Sequence, residues 1–168
     1  FAVGHFPGAV GKGLTLKQVV AKPAKTSLQV TADDDDYVPG APGEAADPTL
    51  HGATLTLRNP TSGESQVFDL PAAAWTGPGG KKGYKYADKQ KVGPCASAAL
   101  KNGTWSAKCG GAQITYTLDE PAQGSLGATL KIGSETSCVL FGGTISKDLG
   151  GEKPVFQGKK APAPATCP

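Results

Sequence analysis

Apolar residues recur at every second position in one short segment after another, and this period limits the chain to strands. Leu14 and Leu16 fall on one side of an extended segment, with Thr15 and Lys17 on the other. Thr26–Thr31 repeats the pattern with Leu28 and Val30, and Ala53–Asn59 with Leu55 and Leu57. Ser65–Leu70 follows the turn signal Asn59-Pro60-Thr61-Ser62-Gly63. Tyr84-Lys85-Tyr86, residues 96–101 and 104–108, Gln113–Leu118, Ala128–Ile132 and Val155-Phe156 extend the series. Ser137–Ile145 is more continuously apolar, which places it in the middle of a sheet. About ten strands and no helical period predict an all-β fold, an antiparallel sandwich or barrel-like sandwich. The 24 Gly and 14 Pro fit short strands joined by many turns.

The four cysteines, Cys95, Cys109, Cys138 and Cys167, are even in number, widely spaced and form no Cys-x-x-Cys pair. Two disulfides in an oxidising compartment follow. Asn102-Gly103 is a two-residue hairpin signal, and folding the chain there brings Cys95 opposite Cys109 to within one residue. Cys138 then pairs with Cys167 and pins the proline-rich tail. The chain starts at Phe1 and holds no Met, as removal of a secretory signal or trimming would leave it. These features predict a secreted protein, extracellular or at the cell surface. A net charge of +3 and a single Arg, Arg58, argue against nucleic acid. No apolar run approaches the ~18 residues of a membrane span.

Sites for chemistry are few. Asp33, Asp34, Asp35 and Asp36 offer carboxylates to calcium, but lack EF-hand spacing, and adjacent side chains splay apart; a solvated acidic loop is the preferred reading. His5 and His51, with Asp47 nearby, would need to converge with a third ligand to hold a metal. No Gly-x-Ser-x-Gly elbow occurs, and two disulfides leave no free thiol. Asp119-Glu120 sits before a turn, where exposed acids are ordinary. We therefore expect no enzyme, no cofactor and no catalytic residue. Trp75, Tyr84, Tyr86 and Trp105 offer a ligand-stacking platform for carbohydrate; core packing is the stronger reading for rings placed as Tyr84 and Tyr86 are. Asn102-Gly103-Thr104 also matches a glycosylation sequon.

Several segments come in a recognisable order: Asp47-Pro48-Thr49-Leu50-His51-Gly52-Ala53, Gly83-Tyr84-Lys85-Tyr86-Ala87-Asp88, Gly93-Pro94-Cys95, Phe141-Gly142-Gly143-Thr144 and Ala161-Pro162-Ala163-Pro164-Ala165-Thr166-Cys167-Pro168. Over residues 13–168 the chain resembles a module of large secreted proteins of myxobacteria and related deltaproteobacteria. The resemblance implies an extracellular, disulfide-bonded β-domain and carries over no catalytic residue.

Two features point to assembly. Residues 1–12 form an apolar N-terminal segment ahead of a domain spanning 13–168. This segment is of strand length and suits either the domain's own edge or donation to a neighbour's sheet, with Val3, Phe6 and Val10 as anchors. Charge is also segregated: residues 33–47 hold six acids and no base, and residues 81–91 hold five lysines, Lys81, Lys82 and Lys85 among them, and one acid. If those loops lie at opposite ends, subunits can join head to tail into a filament; an internal contact between the loops, or two separately solvated faces, is the alternative. The expected function is a non-enzymatic, self-associating structural subunit of an extracellular fibre or surface layer. A monomeric carbohydrate-binding or adhesion module of a larger secreted protein is the rival.

Overall fold

The computed structural model describes residues 7–168. Alternating segments bury one face only when a second layer covers them, and two antiparallel sheets supply the two layers. In chain order the strands are β1 (Val10–Lys17), β2 (Ser27–Asp33), β3 (Ala53–Arg58), β4 (Ser65–Leu70), β5 (Trp75–Thr76), β6 (Tyr84–Ala87), β7 (Cys95–Lys101), β8 (Thr104–Gly110), β9 (Leu126–Ile132), β10 (Glu135–Phe141), β11 (Ile145–Leu149) and β12 (Val155–Ala161). The larger sheet has the order β11-β12-β1-β2-β8-β7-β6-β5, and the smaller β10-β9-β3-β4. Together they form the expected β-sandwich.

The core is what the alternation predicts. Leu14, Leu16, Val30, Leu55, Leu57, Phe68, Leu100, Trp105, Val139 and Phe156 are buried between the sheets. Each large apolar side chain so placed contributes on the order of 1.5–3 kcal/mol. Both disulfides form as expected, Cys95–Cys109 and Cys138–Cys167. Cys95 stands directly opposite Cys109 in the β7–β8 register: Gly103 takes positive φ in the hairpin turn, and a register shift between Cys95 and Ser97 takes up the one-residue offset. The acidic loop is stitched to that turn: Asp34 N donates to the Gly103 carbonyl, and Gly103 N to the Tyr37 carbonyl.

The structure departs from the sequence expectations in four places. β1 begins at Val10, and a register shift between Gly11 and Gly13 resets the side chains. Gly11 is required there, because a Cβ would lie 2.6 Å from the Phe141 ring. Gln113–Leu118 alternates as expected, with Ile114, Tyr116 and Leu118 buried, but joins no sheet. β10 is an edge strand, not a central one. On its outer face Cys138, which holds the C-terminal tail, is buried and Leu140 is half-buried, so apolar cover on both sides arises without a central position. Pro48–His51 is a single helical turn, α1, too short to show a helical period.

Candidate functional site

The four consecutive aspartates separate as their backbone turns. Asp33 ends β2, accepts from Thr104 Oγ1 at 3.2 Å, and meets Lys12 Nζ at 3.6 Å. That ion pair is solvent-exposed and contributes little. Asp34 is buried and takes part in a polar chain that crosses the core. Trp105 Nε1 donates to Ser137 Oγ at 2.8 Å, and Ser137 Oγ donates to Asp34 Oδ2 at 2.9 Å. Tyr37 lies beside this chain. Burial raises its hydroxyl pKa, and the nearby Glu135 and Asp34 carboxylates raise it further. Asp35 and Asp36 are exposed. One carboxylate is thus structural and two are solvated, and the four do not gather as a calcium site.

The other sequence candidates also disperse. Trp75, Tyr84, Tyr86 and Trp105 are at most 3% exposed. The stacking alternative therefore does not describe them: their faces are spent on the core, where Trp75 and Tyr86 pack with ring centroids 5.3 Å apart. Tyr84 donates its hydroxyl to the Gly40 carbonyl, and Trp75 Nε1 donates to that of Leu70. His51 is exposed at the end of α1, and His5 lies outside the described residues. Asp47 caps α1 by accepting from Thr49 N, Thr49 Oγ1 and Gly43 N. Burial works to raise its pKa, but these hydrogen bonds outweigh burial and hold the carboxyl below the usual range.

The acidic and lysine-rich loops are not at opposite ends. Gly80 N donates to the Gly40 carbonyl at 3.1 Å, so the loop carrying Lys81 and Lys82 packs on the loop that follows Asp33–Asp36. The internal-contact alternative holds, because β6 starts beside the end of β7, at the hairpin turn where the acidic loop is tied. Lys81, Lys82 and Lys85 are exposed. Of the N-terminal anchors, Val3 and Phe6 lie outside the described residues. Val10 is 48% exposed and opens β1 opposite Asp33.

Two features escaped the sequence. The first is a carboxylate cluster, Glu64, Asp119 and Glu120, with oxygens within 4.8 Å of one another. It forms where residues 113–118 are strapped to the sandwich by side chains. Glu64 Oε1 accepts from Thr117 N and Oγ1 at 2.8 and 3.0 Å. Gln66 Oε1 accepts from Thr115 N and Tyr116 N, and Gln18 Oε1 from Leu118 N. Beneath the cluster, buried Gln123 accepts from Tyr116 Oη at 2.7 Å and donates to Glu120. Burial raises the Tyr116 pKa, as do the Glu64 and Glu120 charges. Glu64 and Glu120 are thus engaged in fastening the strap. Glu64 precedes the cluster's other acids by more than fifty residues, and no motif links them.

The second is a groove of about 860 Å³ alongside β4, where the larger sheet extends beyond the smaller. Its lining includes Val67, Phe68, Ala74, Tyr86, Val92 and Pro94. The loop of residues 88–94 forms its far wall, held by Gly93 N donating to Asp88 Oδ2 at 2.8 Å. That bond lowers the Asp88 pKa.

Compared with protein-family models, curated proteins and solved structures, the chain matches none of them. Among the described residues no helix is long and apolar enough to cross a membrane.

Proposed function

We propose that this protein is a non-enzymatic, secreted structural subunit that self-associates into an extracellular fibre or surface layer. One observation favours this reading over the carbohydrate-binding alternative. Every Phe, Tyr and Trp ring among the described residues is buried, whereas the exposed large apolar side chains are all aliphatic: Val10, Val20, Val38, Leu50, Val67, Val92 and Leu149. Sugar recognition draws on exposed ring faces. Val67 and Leu149 among them lie on the edge strands β4 and β11, where aliphatic side chains suit another protein chain. The two disulfides and the resemblance to secreted modules fit an oxidising extracellular setting.

Native size measurement and electron microscopy of the purified protein test this. Regular polymers are expected. A uniform 16.9 kDa monomer at all accessible concentrations would overturn the proposal.

A further inference from the structure

We infer that the β4 edge and its groove are the acceptor site for residues 1–6 of a second copy of this chain, which add to the smaller sheet as an extra strand. This rests on the fibre reading and names the contact that would build it.

The four sheet edges are not treated alike. An exposed edge presents unpaired N–H and C=O groups, and proteins blunt it by shortness, charge, bulges or cover. β5 is two residues long. β11 carries Lys147 and Asp148 and has a register shift between Ile145 and Lys147. β10 is covered by the chain's own Pro7–Ala9, with Ala9 N donating to Cys138 O and Cys138 N to Pro7 O, both at 2.7 Å. β4 relies on them least: its one charge is Asp69, and its cover is limited to the strap's side-chain bonds at Gln66 and the 88–94 loop at Asp69. It is six residues long, pairs with β3 without a register shift, and contains neither Lys nor Pro. Val67 is 57% exposed on it, and Val92 is 69% exposed across the groove. Gly93 stands opposite the Asp69 carbonyl, and the strap reaches β4 through Gln66, leaving Val67 beside the groove.

Residues 1–6, Phe-Ala-Val-Gly-His-Phe, are apolar and carry no carboxylate or lysine. They cannot fill their own chain's groove. Pro7 sits one strand beyond β10, and a strand added at β4 would sit one beyond the opposite edge. Five inter-strand spacings separate those positions, roughly 24 Å, whereas six extended residues reach only about 20 Å. The occupant must therefore be another copy's segment. A contact between different surfaces leaves a free donor segment at one end of the assembly and a free acceptor edge at the other, and repetition makes a filament when its rotation does not close a ring.

Two complementary variants test the inference. A chain lacking residues 1–6 keeps the groove and loses the strand. Val67→Asp/Val92→Asp keeps the strand and charges the groove, at exposed positions outside the core. Each variant alone should be a folded, disulfide-bonded monomer, and a 1:1 mixture should give dimers that grow no further. In wild-type polymer the β4 amides should exchange hydrogen at least tenfold more slowly than in the truncated monomer. If Val67→Asp/Val92→Asp polymerises like wild type while the truncated chain does not, the fibre reading survives and β4 is not the acceptor. Unchanged β4 exchange on assembly overturns the inference without relying on the groove variant. A monomeric wild type overturns both.

Discussion

The two edges of the smaller sheet are finished in opposite ways. Along β10, closure is by chain connectivity: Pro7–Ala9 pairs with it through the backbone, Cys138 is bonded to Cys167, and the tail lies so close that a Cβ on Gly127 would be 2.2 Å from Pro168. Along β4, closure is by side chains. Gln66 and Glu64 reach across to backbone groups of residues 113–117, and a groove remains beside Val67. Closure of the first kind is insensitive to most single substitutions and leaves no room for a partner. Closure of the second kind depends on individual polar groups and leaves an edge that another chain can use.

The largest expected effect breaks the covalent side. Cys138→Ala/Cys167→Ala should lower unfolding free energy by about 2–4 kcal/mol in urea titrations, because the denatured chain regains the entropy of a long loop. The corresponding change at Cys95 and Cys109 should cost roughly 0.6 kcal/mol less, since its loop spans 14 residues rather than 29. The Ala9 amide should also lose hydrogen-exchange protection when Cys138–Cys167 is absent. If it stays protected and stability falls by less than ~1 kcal/mol, backbone pairing alone closes the β10 edge.

A smaller effect is expected on the side-chain-fastened edge. Gln66→Ala removes an acceptor for Thr115 N and Tyr116 N and a donor to the Gln113 carbonyl. Water can reach part of this site, so the loss should be about 1–2 kcal/mol, with faster exchange of the two amides. Gln66→Glu keeps the acceptor and should fall between. A neutral Gln66→Ala would mean that burial of Ile114, Tyr116 and Leu118 holds the strap unaided.

This contrast also separates what the sequence makes legible from what it hides. Alternation such as Leu14/Leu16 reports which face is buried, and it did so even in the strap, where no ladder exists. It does not report what lies beside a strand. The continuous apolar run at β10 reads as central because two-sided burial has the same signature whether neighbouring strands or a disulfide-held tail provide it. The hairpin and both disulfides were legible because turn chemistry and cysteine spacing are local constraints. The β4 groove depends on the larger sheet extending past the smaller, a property of strand order that no residue encodes. The carboxylate cluster depends on Glu64 meeting Asp119 and Glu120 through the strap. The aspartate run misleads in the other direction: adjacency in sequence looks like a ligand set, but backbone direction sends Asp34 inward and Asp35 and Asp36 out.

The smallest effect concerns the other end of the β4 side, where α1 abuts the strand. Gly52, which ends α1 with positive φ, packs so that a Cβ would lie 3.0 Å from the Leu70 carbonyl. Asp47 holds this turn in place as its N-cap. Asp47→Ala should cost about 1 kcal/mol at neutral pH. The cost should also depend on pH, with a definite sign. The carboxyl pKa in the folded protein is lower than the ordinary value, because hydrogen bonds from Thr49 and Gly43 outweigh burial. A group with a depressed folded-state pKa contributes stability above its unfolded pKa of about 3.9, and loses it as pH falls through the folded value. Wild type and Asp47→Ala should therefore differ most above the unfolded pKa, and the difference should shrink as pH falls below it. Asp47→Asn retains an acceptor oxygen without a titrating charge, so its difference from Asp47→Ala should stay flat over the same range. Thermal melts of the three proteins between pH 2 and 7 would decide it. A wild-type advantage over Asp47→Ala that is the same at both ends of the range would show that the cap works through its shape and not through its charge.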